Sequence, residues 1–188
     1  MARVSRVVKP RVSFGDLQQQ PEEGRRYEIF DGEVFVVPSS LPLHQLVTVN
    51  IDERLRAYAR RHGGRSLVAP IDIVLSDYDV VQPDVVFFSA ARQHLVELRE
   101  PIRHRPDLVV EVLSKSTAAT DRGRKLQTYA RFGVPEYWIV DPDAPSIEIL
   151  QLQGEAYALA ARAAGSETVA SATLPDLAIS PRDVLPEA

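Results

Sequence analysis

Two acidic residues stand in apolar surroundings where a carboxylate is expensive. Asp84 leads the run Val85-Val86-Phe87-Phe88, and Glu111 interrupts Leu108-Val109-Val110 and Val112-Leu113. Short runs this rich in β-branched residues predict strands buried on both faces. A carboxylate there needs a metal, a proton or a charged partner. On neighbouring strands the two carboxylates can lie together, and they then repel unless a cation or a shared proton relieves them. Oxygen ligands in a chain with no cysteine and four histidines favour Mg²⁺ or Mn²⁺ over zinc. The acid nearer in sequence, Asp107, is excluded as the partner of Glu111, because four residues of strand span about 13 Å.

Only Lys9, Lys115 and Lys125 among the 22 basic residues are lysines, and two of them come just after Glu111. Lysine supplies a compact charge with a tunable pKa that arginine does not. Asp121 and Lys125 are four apart, which is also the spacing of an ordinary helix ion pair. Tyr129 is one turn further on and reads as a packing residue. Glu28, beside Tyr27 and Ile29, is either a site acid or an exposed cross-strand partner. His44 falls in the first turn of a helix, either as a cap-region residue or pointing into a site.

These residues require a definite set of elements. The apolar strand at 108–113 is followed by candidate caps Ser114, Ser116 and Thr117, then a helix to Phe132. Gly133 stops that helix and Pro135 prevents its resumption, and Tyr137–Val140 forms the next strand. Upstream, Ser13 caps a short helix over 13–20, and 21–26 is a polar loop. Asp31-Gly32 is a hairpin signal between strands at 27–30 and 33–37. Helical spacing runs from Leu43 to about His62, with arginines 54, 56, 60, 61 and 65 crowding its end, where they suit the helix dipole or face phosphate. Strands are expected at 66–69, 71–75 and 84–88, with a polar turn at 76–79. Residues 89–105 read as a mobile loop with a basic bias. Further strands are expected at 147–150 and near 157–159.

Composition narrows the possibilities. The absence of cysteine excludes disulfides, zinc–thiolate sites and thiol catalysis. A formal charge of −4 gives no global attraction to nucleic acid, so such a partner needs a local patch. No apolar run approaches the roughly 18 residues of a membrane span, and the basic N-terminal stretch lacks the apolar core of a signal peptide. A cytoplasmic protein is expected, with no membrane partner.

Taken together, YEIFDGEVFVV, His44, QPDVVFF, PDLVVEVLSKST, Asp121 with Lys125 and Tyr129, and GVPEYWIVDP resemble the Uma-type restriction endonuclease family of the PD-(D/E)XK nuclease superfamily. The resemblance runs from about Phe14 to the LPDL segment. It implies an α/β (α+β) restriction-endonuclease-like fold: a central mixed β-sheet flanked by helices, with an N-terminal β-hairpin and extra C-terminal strands. One domain over 1–188 is expected, with 1–12 and 180–188 as loose termini. The resemblance further implies metal-dependent endonuclease hydrolysis of DNA. Asp84 and Glu111 would bind Mg²⁺ or Mn²⁺ with the Val112 backbone carbonyl, and Glu28 would act through a metal-bound water. A lysine would assist the attacking water, and His44 matches a recurrent family histidine. The superfamily lysine position is here Leu113; relatives place a lysine on the following helix, which favours Lys125 and leaves Lys115 as the alternative. Nucleases of this kind often work as homodimers, and a homodimer is expected.

Overall fold

The computed structural model describes residues 10–19 and 25–186. The N-terminal stretch through residue 9, most of the expected 21–26 loop and the last two residues lie outside these. Helix α1 (Phe14–Gln18) is fixed by a reciprocal capping box, in which Ser13 Oγ accepts from the Asp16 N–H and the Asp16 carboxylate accepts from the Ser13 N–H. Strands β1 (Arg26–Phe30) and β2 (Glu33–Val37) form the expected hairpin. Asp31 and Gly32 both have positive φ, 50° and 81°, as the tight turn matching strand twist requires. The long helix α2 (Pro42–His62) follows, with Pro42 in its first turn and Gly63 ending it.

The central sheet contains β3 (Arg65–Val68), β6 (Val85–Phe88), β7 (Leu108–Val112), β8 (Glu136–Asp141), β9 (Ser146–Gln153) and β10 (Ala156–Ala164), in the spatial order β10-β9-β8-β7-β6-β3. Only β7 and β8 run parallel, and the other pairs are antiparallel. A parallel pair needs a crossover. Here it is a helical stretch made of α3 (Ala118–Thr120), a π turn over Asp121–Lys125 and α4 (Leu126–Arg131).

Both faces of this sheet are covered, so its middle strands are apolar almost throughout. On one face Val47, Ile51, Leu55 and Tyr58 of α2 pack on Val85, Leu108, Val110 and Trp138. On the other, Val86, Phe88, Val109 and Ile139 pack on Tyr129 and Val134 and on Ile73 and Val81. The last two belong to a second, antiparallel sheet in which the hairpin is joined by β5 (Asp79–Val81) and β4 (Ile73–Ser76), ordered β2-β1-β5-β4. This is the α/β restriction-endonuclease-like architecture expected from the sequence. Among the described residues no helix is long and apolar enough to cross a membrane.

Several local expectations change. Asp79 is not part of a turn but opens β5, which pairs with β1 and β4 and is buried throughout. Residues 89–105 are not a free loop. Val96 and Ile102 are buried, Ile102 bridges to Ile73, and Arg92 pairs with Asp107. A basic composition concealed the apolar anchors that hold this segment to the sheet. The strand expected near 157–159 extends over nine residues because it pairs along the length of β9. Within 180–188, Pro181–Val184 forms α5, capped by Ser180, with Val184 fully buried and its carbonyl accepting from Asn50 of α2. The two-residue strands β11 (Val169–Ala170) and β12 (Ala178–Ile179) bring the chain back to that helix.

Candidate active site

In the β6–β7 ladder Val85 faces Val110, so the next step of the register sets Asp84 across from Glu111. Side chains opposite each other in antiparallel strands share a face. Glu111 lies on the face of Val109, and Asp84 on that of Val86 and Phe88, the face covered by the crossover helices. Both acids line one cleft of about 340 Å³, together with His44, Gln82, Asp121 and Lys125.

Glu111 is 2% exposed and fully engaged. Lys125 Nζ donates to both its oxygens at 2.9 Å, and the Tyr129 hydroxyl donates to Oε1 at 2.7 Å. The same Nζ lies 3.0 Å from Glu28 Oε1 and 3.6 Å from Asp121 Oδ1. Glu28 is not an exposed cross-strand partner. It is buried beneath the crossover helix, and its Oε1 also accepts from the Gln82 N–H at 2.8 Å. Asp84 Oδ2 accepts from the Val112 N–H at 2.8 Å, and His44 Nε2 stands 3.1 Å from the same oxygen. His44 Nδ1 lies 3.4 Å from the Thr48 hydroxyl.

The π turn is what presents the lysine. Asp121, Lys125 and Tyr129 step by four along the crossover, and the widened turn falls between the first two. Such single π turns often occur at functional sites. The Tyr137 hydroxyl donates to the Asp121 carbonyl at 3.1 Å, satisfying a backbone oxygen within the irregular turn. Lys115 is placed differently. It is exposed on the loop after β7 and lines the mouth of the cleft, away from the buried cluster.

Charge in the cluster is unbalanced, with Glu28, Asp84, Glu111 and Asp121 surrounding one lysine. Burial pushes the Glu111 carboxyl well above its usual range; Lys125 offsets part of this, and the neighbouring acids add to it. Burial likewise raises Asp121, to about 6. Desolvation alone would lower Lys125, but Glu111, Glu28, Asp121 and Asp84 together outweigh it and keep the ammonium charged. Burial also acts to lower His44, and Asp84 outweighs it, leaving the imidazole raised.

Whether these groups suit a divalent cation can be judged from their chemistry. Among the described residues no three acid or histidine side chains stand as a ready ligand set; Lys125 occupies the space between Glu28 and Glu111. The donors are nevertheless oxygens carrying surplus negative charge, the combination that hard cations take. Two buried oxygens lining the cleft, Gln82 Oε1 and Asp121 Oδ1, lack hydrogen-bond partners. The residues fit such an ion.

The family described as "Putative restriction endonuclease" (Uma2) matches residues 14–182, nearly the whole chain. The chain belongs to this family. Among solved structures, this Uma2 protein is similar to a crystal structure titled as a putative nuclease of DUF820 from Anabaena variabilis ATCC 29413. The TM-score is 0.74 at 16% identity, over 92% of this chain and 97% of that one. At that identity the similarity establishes the fold alone. No curated protein matches.

Tyr129 packs at 1% exposure as expected, and its hydroxyl also holds Glu111. One member of the cluster gives no signal in the sequence. Gln82 acts on Glu28 through its main chain, and no side-chain pattern reveals a backbone donor.

Proposed function

We propose that this protein is a Mg²⁺- or Mn²⁺-dependent endonuclease that hydrolyses DNA phosphodiester bonds. The observation that carries this is the buried Lys125 ammonium, held between Glu28 and Glu111 beside a cleft that also receives Asp84. Asp84 and Glu111, with the Val112 carbonyl, would hold the ion, and Glu28 would reach it through a water. When bound, the ion polarises the phosphate and lowers the pKa of a water.

The remaining work falls to the chain's own groups. Lys125 Nζ is positioned to donate to the attacking water or to a phosphate oxygen as charge builds there. Tyr129 fixes one oxygen of Glu111. His44 and the Val112 N–H orient Asp84. A homodimer would bring two such sites together, which light scattering of the purified protein would test.

One observation favours a second reading, a nuclease-fold module that binds nucleic acid without cutting. Both Glu111 oxygens are bonded to Lys125, and ion binding must displace part of that pairing.

The test is cleavage of plasmid and single-stranded DNA with Mg²⁺, Mn²⁺ or EDTA. It compares the wild type with Asp84→Ala, Glu111→Ala, Lys115→Ala and Lys125→Ala. Activity that needs the ion, both acids and Lys125 supports the endonuclease. Activity surviving loss of either acid sinks the metal mechanism, and a dead Lys115→Ala beside an active Lys125→Ala reassigns the lysine.

A further inference from the structure

The cleft is not lined as a track for duplex backbone. Most of its exposed surface is apolar, with Leu41, Leu43, Leu113 and Pro142 on a wall shared with the hydroxyls of Ser39, Ser114 and Thr117. At about 340 Å³ its size falls in the range of small-molecule pockets, about 300–1,000 Å³. Leu41 on the rim is 72% exposed, and Leu43 beside it 39%. Neither contributes to a buried cluster, so the core does not account for two leucines at this edge. Apart from the buried Lys125, the lysine and arginine side chains lining the cleft among the described residues are Arg26 and Lys115. Arg26 donates to the Pro38 carbonyl and so fastens the loop carrying Leu41. Lys115 is exposed and has no ion pair among the described residues.

A paired duplex turns phosphates outward and keeps its bases stacked inside, so it offers nothing to an apolar wall of this depth. An unpaired strand can extrude a base whose faces pack between aromatic or apolar side chains, with the phosphates following a positive charge. We infer that the cleft takes one unstacked nucleotide of a single-stranded or locally unpaired nucleic acid, its base against Leu41, Leu43 and Leu113 and its phosphate at Lys115. This rests on the endonuclease reading of the same cleft and adds its substrate class. The base seats beside the acids, so the adjoining phosphodiester is the one presented to Lys125.

The experiment uses oligonucleotides of one sequence in four forms: single strand, full duplex, duplex with a central unpaired bulge, and single strand carrying abasic sites. Binding is followed by fluorescence anisotropy with EDTA present, and cleavage with Mg²⁺ or Mn²⁺. Single-stranded and bulged forms are expected to bind about tenfold or more tightly than the duplex, with the abasic strand losing most of that advantage. Leu41→Ser and Leu43→Ser should narrow the difference. Leu41 is the N-cap of α2 and has no side-chain cap bond, so serine there suits the helix, and a melting curve verifies the fold. Equal binding of single strand and duplex, an abasic strand bound as well as the intact one, or leucine variants that keep the full preference would each overturn the inference. If no form is cut but the binding preference holds, the endonuclease reading fails and the inference stands. If all forms are cut at equal rates and bound equally, the reverse is true.

Discussion

Lys125 Nζ stands 2.9 Å from each oxygen of Glu111, and both side chains are almost completely buried. Removing one partner of such a pair strands the other charge without solvent, at a cost of about 3–5 kcal/mol. Lys125→Met and Glu111→Leu should therefore each lower unfolding free energy by that order in urea titrations. The double variant should recover only part of the loss, since Glu28 and Asp121 still lose the same ammonium, while remaining inactive. Additive losses in the double variant would show that the two residues do not act as a pair.

Asp84 is bonded less elaborately, to one backbone N–H and to His44. Asp84→Asn keeps the shape and a hydrogen-bonding group, so its melting temperature should fall by only a few degrees. Its Mg²⁺-dependent cleavage rate should fall by roughly 100-fold or more, the scale on which electrostatic groups at reacting centres act. A full rate at saturating Mg²⁺ would remove Asp84 from the site.

The Tyr129 hydroxyl makes the third hydrogen bond to Glu111. Tyr129→Phe removes that bond and leaves the ring packed, which should cost about 1 kcal/mol of stability. Cleavage should drop with little change in KM, because the hydroxyl lies behind the acid and does not face the cleft. A change confined to KM would instead place it against substrate.

The pH dependence of stability has a definite sign. Asp121 ionises near 3.8 ordinarily and at about 6 when folded, so the folded chain holds this proton more tightly. The favourable contribution is complete below about pH 4 and is lost as pH rises to about 6. Glu111, raised by the same burial, acts in the same direction. Lys125, raised from an alkaline starting value, contributes no slope in this window. Urea titrations across the window should show the wild type losing on the order of 2 kcal/mol relative to Asp121→Asn. An identical slope in the two proteins would contradict this. At neutral pH, Mg²⁺ or Mn²⁺ should raise the melting temperature by relieving the same surplus charge.

Glu136 serves as a control, as an acid whose burial is structural. Its carboxylate accepts from Trp138 Nε1, Ser171 Oγ and the N–H groups of Ala172 and Thr173, at 2.6–2.9 Å. It ties the C-terminal segment to β8. Glu136→Ala should destabilise by about 3 kcal/mol or more, since several buried donors lose their acceptor. The Mg²⁺ concentration for half-maximal cleavage should be unchanged. A shift in that concentration would link the two ends of the molecule.

Much of this arrangement was legible in the sequence because it is local. The apolar runs around Asp84 and Glu111 specify buried strands, Asp31-Gly32 specifies its turn, and the spacing from Leu43 to His62 specifies the helix that covers one face. Period and composition tell which side chains share a face. They do not tell what covers that face, and tertiary packing alone decided that. Glu28 alternates in a hairpin whose sequence fits an exposed acid equally well; the crossover helix, a hundred residues later, closes over it. Lys115 and Lys125 both follow Glu111, and only the path of the chain through the loop and the π turn sends one ammonium inward and leaves the other at the cleft mouth. Residues 89–105 looked free because their charges outnumber the few apolar side chains that dock. Nothing local marks Glu136 for burial; the C-terminal segment folds back to supply its donors. Each difference has one cause: the free energy of a buried charge depends on partners distant in sequence, which local pattern does not contain.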